Sequence, residues 1–323
     1  MRELAGHPVG PIGLGCMSFG GIYGATDTAE SFACMQAALD LGVTHWDVAE
    51  IYGGGVSETV IGQFLGETGA EVMLATKAGI YTQPERHFSN AASDLRRSLE
   101  GSLERLGRSS VELFYIHRRE HERPVEEVME TLAGFVSEGL IGGIGFSEIS
   151  PATLRRAHAV HPVAAVQSEY SLWSRQPELG MIQTCAELGV AFVAFSPLAR
   201  GVLGDGFSGR EAFPEGDFRK GQPRFLDPNY AANMAVVEGF KTWCHGRGWS
   251  TAAVALAWVL AQGEHVIPIP GTRSAAHLAE FVAGAEMVLS SDDLAEIERL
   301  LPVGFAHGAR YAPSQWAAVE IYG

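Results

Sequence analysis

The chain has 323 residues, 46% hydrophobic and 19% charged, with 39 glycines in no collagen-like period; this composition fits a soluble globular protein with many tight loops and excludes a disordered or fibrous one. A formal net charge of −15 would repel a phosphate backbone, which excludes nucleic acid as a partner. Cys16, Cys34, Cys185 and Cys244 form no C-x-x-C pair, the N-terminus lacks a signal-peptide h-region, and no apolar run reaches the ~20 residues of a membrane span. A cytoplasmic chain with no metal site and no membrane contact is expected.

In chain order, short apolar and often β-branched runs alternate with stretches of helical period. "IGLGCM" (12–17) precedes "TAESFACMQAALDLG" (28–42), and "VTHW" (43–46) precedes "SETVIGQFLGE" (57–67). "VMLATK" (72–77) leads to "NAASDLRRSLEGSLERLG" (90–107), "LFYIH" (113–117) to "VEEVMETLAGFVSEG" (125–139), and "IGGIGFS" (141–147) to "PATLRRAHAV" (151–160). "VAAVQS" (163–168) is followed by "PELGMIQTCAELG" (177–189), "AFVAFS" (191–196) by "STAAVALAWVLAQG" (250–263), and "HVIPIPG" (265–271) ends the series. Asp27 and Ser57 read as helix starts, and Gly42, Gly107, Gly139 and Gly189 as stops.

Eight such runs predict an α/β fold of the (β/α)8 TIM-barrel type with an extra C-terminal helix and loops, in a single domain over residues 1–323. A doubly wound open sheet is the competitor. Most runs end in a group useful for chemistry: Asp47, Lys77, His117, Ser147, Gln167 and Ser196. A barrel gathers such ends at one pole, whereas an open sheet spreads them along an edge.

Two motif matches fail on context. "GDGFSG" (204–209) fits G-x-G-x-x-G, yet the Pro-, Gly- and charge-rich stretch after it cannot open the helix a dinucleotide fingerprint needs. "HRREH" (117–121) fits an inverted zinc-protease pattern, but His117 ends a strand-like run and Pro124 follows closely.

Asp47, Tyr52, Lys77 and His117 remain. A free phenol titrates near 10, and an ammonium within ~4–6 Å lowers that value. Asp47 would hold the ammonium in place, and a neutral histidine would orient a carbonyl oxygen. Together they suit carbonyl–alcohol interconversion. Taken singly, each has an ordinary reading as a loop cap, a rim aromatic, a solvated charge or a core histidine.

The segments "GLGCMSFGG", "WDVAEIYGGGVSETVIG", "LATKAG", "RRSLEGSLERLGRSSVELFYIHR", "GLIGGIGFSEIS", "AVQSEYSLWSR", "VAFSPLARGVL" and "IPIPGTRS" span nearly the whole chain in order. They resemble the aldo-keto reductase superfamily, and within it the bacterial branch of general aldehyde and pyridoxal reductases, related to the potassium-channel β subunits. The resemblance implies a barrel binding NADP(H) across its C-terminal pole without a Rossmann fold, and a small-molecule carbonyl substrate. It implies Tyr52 as general acid, Lys77 and Asp47 as the groups that tune it, and His117 as the residue positioning the carbonyl. Ser147 and Gln167 match positions holding the nicotinamide carboxamide, and Phe195 stands where the ring is stacked. Ser196, Leu198 and Arg200 match the pyrophosphate wrap. Thr272, Arg273 and Ser274 match the adenosine 2′-phosphate pocket, and Gly271, His277 and Glu280 are further cofactor-binding candidates.

The chain departs from the family pattern at His277 and Phe281, which leaves NAD(H) open beside NADP(H), at the "DVA" of 47–49, and at Glu148. Tyr23, Trp46, Trp173 and the C-terminal "HGARYAPSQW" are candidate substrate walls, with core packing the alternative for the two tryptophans. The segment 203–229 is either a flap over the cofactor or a surface insertion. The resemblance leaves open a low-turnover regulatory subunit, an NAD(P)-dependent sugar or alcohol dehydrogenase working in reverse, and a homo-oligomer.

Overall fold

Eight strands, Leu14–Gly15, His45–Asp47, Met73–Ala78, Val111–Ile116, Ile141–Ser147, Ala165–Glu169, Ala191–Phe195 and Val266–Ile269, pair in parallel in chain order in the computed structural model, which describes residues 2–322. The first and eighth meet through bonds from the Gly13 amide to the Pro268 carbonyl (3.0 Å) and from the Gly15 amide to the Pro270 carbonyl (3.1 Å), so the sheet closes into a barrel. Glycine is required at this seam, because a Cβ on Gly15 would lie 2.8 Å from the Ile269 oxygen.

The two-residue period of a strand decides which side chains enter the barrel. His45 pairs with Met73, Asp47 with Ala75, Lys77 with Tyr115, Tyr115 with Gly145, and Ser147 with Gln167, so these residues share the inner face. Met73, Ala75, Leu113, Tyr115, Ala165, Val193 and Ile267 fill the interior. Gly145 makes room for Tyr115, whose ring would lie 2.3 Å from an added Cβ. A hairpin that the sequence pattern did not announce, Arg2–Leu4 with His7–Val9, places Leu4 and Val9 in the same apolar cluster and plugs the N-terminal end.

The outer faces of the strands pack on helices. Seven helices fall in the predicted stretches: Thr28–Asp40, Val56–Thr68, Ala92–Leu106, Val125–Ser137, Pro151–Val160, Met181–Leu188 and Thr251–Leu260. Asp27 caps its helix by accepting from the Glu30 amide at 2.7 Å, and Gly107 and Gly189 end theirs in the left-handed conformation. Ser57 is not a cap: its helix starts one residue earlier, after Gly55, and its hydroxyl donates to the Cys16 carbonyl at 2.8 Å. Asn229–Gly246, Ala275–Ala285 and Ser291–Leu300 add three further helices, of which the 18-residue first was not anticipated. Among the described residues no helix is long and apolar enough to cross a membrane.

Trp46 is corrected here. It points away from the barrel interior, is fully buried, and packs against Phe64 with ring centroids 5.8 Å apart, because its neighbours His45 and Asp47 take the inward positions.

His45 faces the interior with neither ring nitrogen bonded to protein, and burial holds its pKa down to about 3. The unfolded chain protonates this ring near 6.5, so its contribution to stability is present above that value and is lost as pH falls toward 3. At pH 5 the loss is about 2 kcal/mol. Urea unfolding of wild type and His45→Leu at pH 7.5 and 5 should therefore show a smaller acid-side loss in the variant. Equal losses would mean that His45 is not held neutral.

Candidate active site

The inward register continues past the apolar interior to the C-terminal ends of the strands, where it presents Asp47 and Lys77, with His117 one residue beyond the fourth strand. Tyr52 comes from the turn after the second strand. That turn is pressed onto the one after the first: a Cβ on Gly20 would lie 2.7 Å from both the Tyr52 carbonyl carbon and the Gly53 nitrogen, and Gly53 adopts φ +64°.

Lys77 is fully buried and donates to the Asp47 carboxylate, to the Val48 carbonyl at 2.8 Å and to the Tyr52 hydroxyl at 3.4 Å. The other Asp47 oxygen accepts from the Gln167 amide at 2.7 Å. The His117 ring stands edge-on to Tyr52, with centroids 5.8 Å apart and planes at 84°. Four groups separated by up to 70 positions in sequence thus meet in one place.

The electrostatics differ from the sequence expectation at one point. Burial raises the Tyr52 phenol above its ordinary value, and Lys77 offsets only part of that rise. The phenol is therefore held protonated rather than poised as phenolate. Burial opposes the charge on Lys77, but the Asp47 carboxylate and the Tyr52 oxygen outweigh it, and the ammonium is kept. Burial also pushes Asp47 up while Lys77 pulls it back. His117 is driven well below 6.5 by burial and then by Arg118, Lys77 and Arg86, so its imidazole is neutral.

Asp47, Tyr52 and His117 line a cavity of about 660 Å³, a volume suited to a small-molecule or cofactor site; Lys77, fully buried, does not line it. Ser147, Gln167, Phe195, Ser196 and Leu198 line it, as do Gly271, Thr272, Arg273, Ser274, His277 and Glu280. Ser274 caps the helix Ala275–Ala285 by accepting from the His277 amide, and Arg273 precedes it. Arg273 meets Glu30 at 3.2 Å and the Gly24 carbonyl at 3.2 Å. Arg200 also lines the cavity, in a left-handed backbone conformation at φ +58°, but as half of a buried ion pair with Glu169 at 2.9 Å rather than as a free cation.

Tyr23 lines the cavity, edge-on to Phe218 at 5.3 Å. Trp173 does not. It is buried against Phe225, with ring centroids 5.8 Å apart and Arg224 over its face, so it supports the segment 203–229 instead of walling the cavity. That segment forms one wall through Gly204–Gly209, Phe213, Phe218 and Arg219. Arg219 ties it down by donating to the Arg200 carbonyl at 3.0 Å.

Sequence reasoning assigned no role to Arg86, Arg118 or Arg219, which also line the cavity. The position of Arg118 beside His117 was the one available signal. From the C-terminal stretch singled out in the sequence, Tyr311 and Gln315 do reach the wall.

The model of the Aldo/keto reductase family matches residues 11–302. The chain is 37% identical over 320 residues to the aldo-keto reductase yakc of Schizosaccharomyces pombe, whose name carries NADP(+), covering 97% of this chain and 94% of that protein. It is 36% identical over 310 residues to the probable aldo-keto reductase 1 of Glycine max, covering 95% and 89%. Its structure is similar to that of the glycerol dehydrogenase of Gluconobacter oxydans, with a TM-score of 0.85 and 26% identity over 97% of both chains.

The phenol balance can be read directly. The ultraviolet titration difference between wild type and Tyr52→Phe should isolate a phenol ionising above 10 in the protein without added ligand, where burial outweighs Lys77. A phenol titrating below 10 would contradict that balance.

Proposed function

The chain belongs to the aldo/keto reductase family, and on that premise we propose that it is an NADP(H)-dependent reductase that converts small aldehydes or ketones to alcohols, with Tyr52 as the proton donor. The observation that carries this reading is the single Lys77 ammonium shared between Asp47 and the Tyr52 hydroxyl, with a neutral His117 beside the phenol.

When bound, the nicotinamide supplies a hydride equivalent to the carbonyl carbon. The chain's own residues supply the rest. Neutral His117 offers an N–H to the substrate carbonyl oxygen and orients it. Tyr52, kept protonated by burial, holds at its hydroxyl the proton that the product oxygen needs. As that proton leaves, negative charge develops on the phenol oxygen 3.4 Å from Lys77, where the ammonium stabilises it. Asp47 and the Val48 carbonyl keep the ammonium in place.

The cavity fits the cofactor chemically. Ser147, Gln167 and Phe195 would hold the nicotinamide, and Ser196, Leu198 and the Arg200 turn the pyrophosphate. Gly271, Thr272, Arg273 and Ser274, with His277 and Glu280, would hold the adenosine end. The helix N-terminus capped by Ser274 and the adjacent Arg273 favour a 2′-phosphate, hence NADP(H) over NAD(H).

Tyr52→Phe should lower kcat for aldehyde reduction by about two to four powers of ten while leaving the NADPH dissociation constant near that of wild type, because only proton transfer is lost. Undiminished turnover would remove Tyr52 from the mechanism. Sustained NADPH oxidation over many cycles is expected of a reductase; a single-turnover burst with retained cofactor would favour the regulatory reading instead. Arg273→Ala should weaken NADPH about tenfold or more and NADH little. Equal loss for both would detach Arg273 from the 2′-phosphate.

A further inference from the structure

Five arginines line the cavity, and three of them face carboxylates: Arg200 meets Glu169, Arg219 meets Asp217 and Arg273 meets Glu30. Arg118 and Arg86 form no ion pair among the described residues. Arg118 is only 8% exposed, and its guanidinium donates solely to uncharged oxygens: the His117 carbonyl at 2.6 Å, the Ser147 hydroxyl at 3.1 Å and the Tyr311 hydroxyl at 3.2 Å. A guanidinium has five N–H donors, so these three bonds leave the Nε hydrogen and one on Nη2, adjacent atoms on one edge of the plane. Two N–H donors of one guanidinium can hold two oxygens of a carboxylate or phosphate.

Arg86 stands exposed at the cavity rim, and its charge acts on both Arg118 and His117. The acids of the cavity wall do not serve this pair. Asp47 is committed to Lys77 and Gln167, Glu30 to Arg273, Asp205 to Thr251 and His245, and Glu280 to Ser250. Arg118 is thus a nearly buried guanidinium without a carboxylate partner, and the exposed Arg86 adds a second positive charge at the rim.

We propose that the carbonyl substrates of this protein carry an anionic group, a carboxylate or a phosphate, which docks on Arg118 and Arg86 while the carbonyl oxygen meets Tyr52 and His117. The proposal rests on the reductase reading. It assigns the cofactor's phosphates to the Arg200 turn and Arg273, which leaves Arg118 and Arg86 to the substrate.

The test compares kcat/KM for NADPH oxidation within two matched pairs, butanal against 4-oxobutanoate and glyceraldehyde against glyceraldehyde 3-phosphate, in wild type, Arg86→Gln and Arg118→Lys. Wild type should prefer the anionic member of at least one pair by about tenfold or more, and the pair that responds names the carboxylate or the phosphate. The preference should shrink on adding KCl and fall toward parity in at least one variant, chiefly through KM. Arg86→Gln alters an exposed side chain, so it reports even if Arg118→Lys fails to fold. Neutral members reduced as well as or better than both anionic ones, or a preference unchanged in both variants, would overturn the proposal and leave the reductase reading standing. No turnover of any of the four, nor of a panel of aromatic aldehydes, would overturn both.

Discussion

The C-terminal pole of this barrel is organised by one buried ion pair, Lys77 with Asp47. Both side chains are shut off from solvent, at 0% and 3% exposure, where each charge loses hydration worth several kcal/mol. The pair holds because every group on it has a partner. The three protons of Lys77 meet the Asp47 carboxylate, the Val48 carbonyl and the Tyr52 hydroxyl, and the two Asp47 oxygens meet Lys77 and Gln167. The lysine–tyrosine contact is thus also what completes the lysine's hydrogen bonding. Local glycines make it reachable, since the Tyr52 turn can approach the preceding turn only without a Cβ at Gly20.

A second set of charges anchors the walls of the cavity that come from loops and the C-terminal tail. Glu148, in the left-handed conformation at φ +59°, takes a two-pronged bond from Arg310 of the C-terminal segment. Glu169, at the end of the sixth strand, accepts from Arg200 at 2.9 Å and from the Ser174 hydroxyl at 2.7 Å, and despite its burial these positive neighbours hold its carboxyl down at about 2. Arg224 reaches the same serine at 2.7 Å. The tail is therefore fastened to the barrel end through a paired charge, and the segment 203–229 through the bond from Arg224 to Ser174. Among the five arginines that line the cavity, Arg118 and Arg86 are the two without a carboxylate partner among the described residues.

Much of the frame was legible because periodicity is a local property. The eight apolar runs and seven helical stretches follow from spacing alone, and the inward residues of each strand follow from alternation once one of them is known. The same alternation places Trp46 outside, so this correction was within reach of the sequence. The N-terminal hairpin and the helix Asn229–Gly246 were harder. The hairpin strands have three residues each, too few to show a period, and the helix follows a Pro-, Gly- and charge-rich stretch that reads as loop.

At the site, the sequence by itself determined which residue types stand at the strand ends, and with the family resemblance it determined that Asp47, Tyr52, Lys77 and His117 belong together. Tertiary structure alone decided the balance among them. Whether Tyr52 is raised or lowered depends on burial set against one ammonium, which is a sum over neighbours from several strands. Whether Arg200 is free or paired depends on Glu169, 31 positions away, and whether Trp173 walls the cavity depends on Phe225, in a different loop. Hydrogen-bond partners and desolvation are long-range quantities, and no local pattern along the chain encodes them.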